Sequence, residues 1–171
     1  MHASRKPWVS SVAIAALCGL AASCAAATPA ANPLSLPQSL CAANEPVVFA
    51  CHVGSKLVSL CRPPGDRGML SYRFGKPQAL ELTSPEPGRQ ARAAFIVKSA
   101  PLIGGGETTV AFQRGGYTYT VYSRIGRGGN GATPEFEDGV IVSRRGKVLS
   151  RMRCEDGGEG FREPVDGVAA N

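Results

Sequence analysis

Apolar residues recur at every second position in short runs, and Gly or Pro interrupts each run before it grows long. That rhythm buries one face of a pleated strand and forbids long helices, so it restricts the chain to an antiparallel all-β domain. The runs are Pro46 to Cys51, Lys56 to Cys61, Leu70 to Phe74, Ala79 to Leu82, Ala93 to Val97, Thr108 to Gln113, Tyr117 to Ser123, Gly139 to Ser143 and Lys147 to Cys154. They predict a small antiparallel barrel or sandwich of about eight to nine short strands. RPPGDRG, SPEPGRQ, LIGGG and the long RIGRGGNGATPEFED are expected as connectors, because Gly, Pro, Asn and Asp supply turn geometry.

The alternation also assigns faces. In TTVAFQRGGYTYTVYS, Val110 and Phe112 share one side of a hairpin with Tyr117, Tyr119 and Val121, and that side is expected to be core. In GVIVSRRGKVLSRMRC a three-residue loop Arg144-Arg145-Gly146, with Gly146 left-handed, would set Val142 opposite Val148 and Val140 opposite Ser150. Met152 and Cys154 then point inward with the valines.

The chain opens with Arg5 and Lys6, an apolar run from Val9 to Ala22 and then small residues, the pattern of an export signal over residues 1–23. The run is shorter than the roughly 20 residues a membrane span needs. Ala25-Ala26-Ala27 fits ordinary cleavage before Thr28, whereas Ala21-Ala22-Ser23-Cys24 resembles a lipobox with Cys24 as the lipidated first residue. The lipobox is preferred. The expected localisation is therefore an outer-membrane lipoprotein, ahead of a soluble periplasmic or secreted protein. Residues 24–40, rich in Ala, Pro and Ser, suit a tether. Residues 155–171 are Gly-rich and acidic and are expected to form a flexible tail.

Four cysteines remain in the domain expected over residues 41–154, a span of about 110 residues that can hold one core and not two. If HVGS closes the first hairpin, Cys51 faces Lys56 and Cys61 faces Pro46. The two thiols then stand about 16 Å apart along the strands, on opposite faces, and a disulfide needs Cα atoms within about 7 Å. Two pairings survive: 41–51 with 61–154, or 41–61 with 51–154. The second is favoured, since Cys51 shares an inward face with Val47 and Phe49 and can meet an inward Cys154. An exported chain reaches an oxidising compartment, where such bonds persist.

Recognisable catalytic chemistry is sparse. His52 is the only histidine after the signal, and as a hairpin-turn residue it is expected to be solvated. The carboxylate groups Glu135, Glu137, Asp138 and Glu155, Asp156, Glu159 match no calcium loop and are expected as solvated loop charge. There is no C-x-x-C, and GRGGNG lacks the GK[ST] of a phosphate loop, so no metal, cofactor or enzymatic activity is expected. Loss of Arg5 and Lys6 with the signal lowers the formal charge from +6 to +4. That mild excess suits acidic proteins or anionic envelope polymers and does not point to nucleic acid. Arg144, Arg145, Lys147, Arg151 and Arg153 form a basic patch on the last hairpin, which either guards a sheet edge or binds such a partner.

The spacing of CHVGSKLVSL, FQRGG and the late Cys154 resembles the membrane-bound inhibitors of c-type lysozyme, with Cys51, Gly54, Leu57, Phe112, Arg114, Gly115 and Cys154 falling on that family's pattern. The resemblance implies a small exported β-barrel, lipid-anchored in some members, with a disulfide from the first hairpin to the C-terminus. It also implies lysozyme as a partner. The chain has LIGGGETT where that family places a Ser-Gly-x-x-Tyr inhibitory loop, and Arg114 replaces its lysine. The chain also resembles small exported bacterial proteins carrying YRFGKP. Two functions are therefore expected. One is a non-catalytic envelope β-protein that binds through Gly104, Gly105, Gly106, Glu107, Arg114, Arg144, Arg145, Lys147 and Arg151, with membrane contact only through a lipid anchor. The alternative is lysozyme inhibition through the loop around Gly104 to Glu107 with Arg114.

Overall fold

The computed structural model describes residues 39–65, 69–86, 95–129, 131, 133–155, 157 and 159–165. The expected signal, the lipidation site Cys24 and nearly all of the linker lie outside the described residues. Among those residues there are nine strands and no helix. They are β1 (Val47–Val53), β2 (Lys56–Cys61), β3 (Ser71–Lys76), β4 (Ala79–Ser84), β5 (Ile96–Leu102), β6 (Gly105–Arg114), β7 (Tyr117–Arg127), β8 (Pro134–Arg144) and β9 (Lys147–Arg153). They form two antiparallel sheets in simple chain order, β1-β2-β3-β4 and β5-β6-β7-β8-β9. Eight of the nine expected runs coincide with strands, while of the fifth, Ala93 to Val97, only Ile96 and Val97 are strand, at the start of β5, and Ala93 and Ala94 lie outside the described residues; the sheets do not close into a barrel.

The inner faces follow the period-two reading. Val110, Val121 and Val140 line up across β6, β7 and β8, and Phe112 pairs with Tyr119 beside them. They meet Phe49, Val58, Leu60 and Tyr72 of the first sheet in one buried cluster. Tyr72 lies 4.8 Å from Phe112, and Phe112 stacks on Tyr119 at 5.1 Å, within the range where aromatic pairs attract. Met152 and Cys154 pack against this cluster as expected. Tyr117 shares their side of the sheet, but at its end, where it stacks on Arg144 rather than joining the core.

Two registers differ from expectation because the turns are tighter. The first hairpin closes with two residues, Gly54 and Ser55, so Val53 faces Lys56 and Cys51 faces Val58. Gly54, at φ +60°, supplies the left-handed position that a two-residue turn demands. His52 therefore sits inside β1, opposite Leu57, and not in the turn. A bulge then brings Val47 opposite Cys61, the position expected of Pro46. The last hairpin turns on Arg145 and Gly146 alone, with Arg144 facing Lys147. A bulge absorbs the spare residue, so Val142 faces Ser150 and Val140 faces Met152, not Val148 and Ser150.

Two expected connectors are strand instead. LIGGG contracts to a turn at Ile103 and Gly104, while most of RIGRGGNGATPEFED extends β7 to Arg127 and starts β8 at Pro134. Gly105 makes this extension possible, because a Cβ there would run into the Ile125 carbonyl.

Both disulfides of the favoured pairing form, Cys41–Cys61 and Cys51–Cys154, with Cα separations of 5.4 and 5.5 Å. The first ties the segment before β1 to the outer side of the first sheet. There Leu40 donates its N–H to Ser59, and Arg73 holds the Leu40 carbonyl and both Glu45 carboxylate oxygens. The C-terminal stretch also departs from expectation. Phe161 packs on Phe49 at 5.4 Å, Arg162 donates its N–H to the Val48 carbonyl, and Val165 is buried. Residues 159–165 thus complete the domain rather than fray, since their apolar side chains fill space that the sheets leave open.

Candidate functional site: the β8–β9 hairpin

From Ser143 to Cys154 the chain carries no carboxylate, and the hairpin concentrates its cations. Arg144 stacks over the Tyr117 ring at 5.0 Å, which steers its guanidinium along the sheet end. Arg145 and Gly146 occupy the apex with φ of 50° and 77°, the pair of left-handed residues that a type I′ turn requires. Lys147 follows. No carboxylate among the described residues pairs with Arg144, Arg145 or Lys147. Next to them Val148 and Leu149 are each 53% exposed.

Along β9 the pattern changes from cations without a carboxylate partner among the described residues to a built cluster. The Tyr122 ring on β7 lies against Gly139 of β8, where a Cβ would strike the ring and the Met152 carbonyl. The Tyr122 hydroxyl donates to Glu137 at 2.8 Å, and Arg151 covers the ring at 5.4 Å. Arg153 and Arg151 flank the same carboxylate at 3.1 and 3.7 Å. Burial, and then the bond to Glu137, push the Tyr122 hydroxyl above its ordinary range, against a smaller opposing pull from Arg151. It stays protonated and acts as a donor. Glu137 thereby gathers two guanidiniums on the outer face of the sheet.

The expected binding residues do not form one site. Gly104 lies in the β5–β6 turn, and Gly105, Gly106 and Glu107 lie in the first turn-proximal residues of β6. Arg114 ends the same strand, so Glu107 and Arg114 stand roughly 23 Å apart at strand rise. Arg114 is also engaged, donating to the Thr83 carbonyl and pairing with Glu86 at 3.1 Å. Arg144, Arg145 and Lys147 gather at the Arg114 end, and Arg151 lies farther along β9. The acidic groups are dispersed by structural roles. Asp138 accepts the Gly160 N–H, Glu155 accepts the Gly54 N–H and Glu159 pairs with Arg162. No group of three or more His, Cys, Asp or Glu among the described residues is placed to hold a metal ion.

Sequence reasoning missed four residues. The alternation places Val148 opposite the inward Val142 and assigns nothing to Leu149, because a bulge leaves no trace in it. Tyr122 was missed because it faces away from the core and is covered by Arg151. Arg124, opposite Glu137 in register, fell inside the supposed connector. Compared with known proteins, the chain matches no family model, no curated protein and no solved structure.

Proposed function

We propose that this protein is a non-catalytic binding domain of the cell envelope whose β8–β9 hairpin recognises an anionic component. The observation that carries this reading is the set of three neighbouring cations, Arg144, Arg145 and Lys147, exposed at one turn without a carboxylate partner among the described residues. Like charges held together at a rigid turn repel one another, and an anion relieves that repulsion. The two disulfides are compatible with export to an oxidising compartment. Anchoring through an acylated Cys24 belongs to the same reading: Cys24→Ala should release the protein from membranes, and a wild-type chain already soluble with Thr28 first would overturn the anchor.

Titration with soluble polyphosphate tests the binding reading. Binding should weaken steeply with salt, and the combined Arg144→Gln, Arg145→Gln, Lys147→Gln variant should lose about tenfold or more in affinity. Absence of binding by the wild-type chain, or equal binding by the variant, overturns it.

A further inference from the structure

The bulge in the last hairpin decides more than register. Ser143 faces Val148 and Val142 faces Ser150, which leaves Leu149 as the extra residue with no partner opposite. Two consecutive aliphatic side chains therefore project into solvent, each 53% exposed, within four residues of Arg145. A strand without a bulge would have turned one of the two toward the core. The turn thus presents cations and hydrocarbon together, on an exposed stretch of the five-stranded sheet.

We infer that this hairpin docks on the surface of an anionic lipid bilayer, with Val148 and Leu149 entering the headgroup layer while Arg144, Arg145 and Lys147 meet lipid phosphates. The inference rests on the anion-binding reading above and narrows its partner. Charge complementarity selects an anionic surface, since guanidinium forks match phosphate oxygens and each basic residue near such a surface adds to attraction. The apolar pair selects lipid over a soluble polyanion, which offers nothing for hydrocarbon to bury against. A second copy of the chain fits worse. A two-fold contact through this turn would press the three cations against their own copies, and so small a patch falls far short of the roughly 800 Å² per partner that stable dimers bury. Among the described residues no helix is long and apolar enough to cross a membrane.

The test uses the exported chain carrying Cys24→Ala, so that no acyl chain contributes, in co-sedimentation with phosphatidylglycerol vesicles, with phosphatidylcholine vesicles and, separately, in titration with polyphosphate. Binding to phosphatidylglycerol but not phosphatidylcholine is expected. A Val148→Asn, Leu149→Asn variant should lose about tenfold or more of the vesicle affinity while holding polyphosphate affinity within about twofold. Leu149→Ser alone serves as a milder variant, and far-UV circular dichroism confirms that both remain folded. Vesicle binding that is unchanged in the Asn variant, or equal on the two lipids, overturns the inference. So does a wild-type chain that binds polyphosphate but no vesicle, a result that leaves the broader anion-binding reading standing. A chain that binds neither overturns both.

Discussion

The two sheets bury a face by opposite means. The first is short-stranded and enclosed: β2 is buried at five of its six positions, the segment from Ser39 to Pro46 covers its outer side, and both disulfides reach it. The second has strands of up to eleven residues, turns one face to the core and leaves the other open. Among the described residues its outer face carries side-chain pairing, with Tyr122 across Gly139 and Arg151 across Tyr122. Both sheets share the core and the Cys51–Cys154 bridge, but the short sheet is covered on its outer side as well, whereas the ends of the long one extend beyond the core.

The sharpest way to break this contrast is to cut the bond between the sheets. The Cys51–Cys154 bridge spans a sequence separation of 103 and the Cys41–Cys61 bridge only 20. On the chain-entropy account, replacing both members of the long bridge with Ser should cost about 4 to 5 kcal/mol, and of the short one about 3 kcal/mol, measured by urea unfolding. The reverse order would mean that the enclosure of the first sheet depends chiefly on its N-terminal cover. Gly139→Ala probes the open face and should cost more than about 2 kcal/mol, because the new methyl meets the Met152 backbone and the Tyr122 ring together.

A smaller effect separates the sheets by pH. Burial raises the Glu45 carboxyl's pKa, but the forked bond from Arg73 and the Ala42 N–H outweigh it and hold the carboxyl below its ordinary range. A group depressed on folding contributes stability above its unfolded pKa and loses it as pH falls through the folded one. Glu45→Gln should therefore cost about 1 to 2 kcal/mol at neutral pH and progressively less as the solution is acidified through the carboxylate range, followed by thermal melts. Smallest of all, replacing Arg144, Arg145 and Lys147 with Gln should leave stability within about 0.5 kcal/mol, since none pairs with a carboxylate among the described residues and Arg144 is exposed where it stacks on Tyr117. A large loss would make these cations part of the scaffold.

Most of the nine runs were legible because burial of one face imposes period two wherever a strand meets the core. The cysteine pairing was legible in part: separation and opposite faces exclude Cys51 from Cys61, and the inward face that Cys51 shares with Cys154 favours one of the two pairings left. What escaped notice was decided by local backbone geometry. The Gly-rich and charged ends of β6, β7 and β8 read as connectors because they lie beyond the core, where hairpin pairing and not burial sustains the strand. Phe161 and Val165 lie among Gly, Asp and Glu, so their packing could not be seen from composition. Residues Arg144, Arg145, Lys147 and Arg151 were visible as charge, yet the exposed Val148 and Leu149 beside them required the bulge to be seen.

Arg145 is the one non-glycine residue among the described positions whose backbone turns left-handed. Asparagine or glycine would hold that geometry more cheaply, by about 1 kcal/mol, so an easy gain in robustness lies one substitution away. Arg145 thus holds a cation at the apex at some cost in endurance, and a sturdier version of the molecule would surrender one of the three charges on which the proposed anion recognition rests.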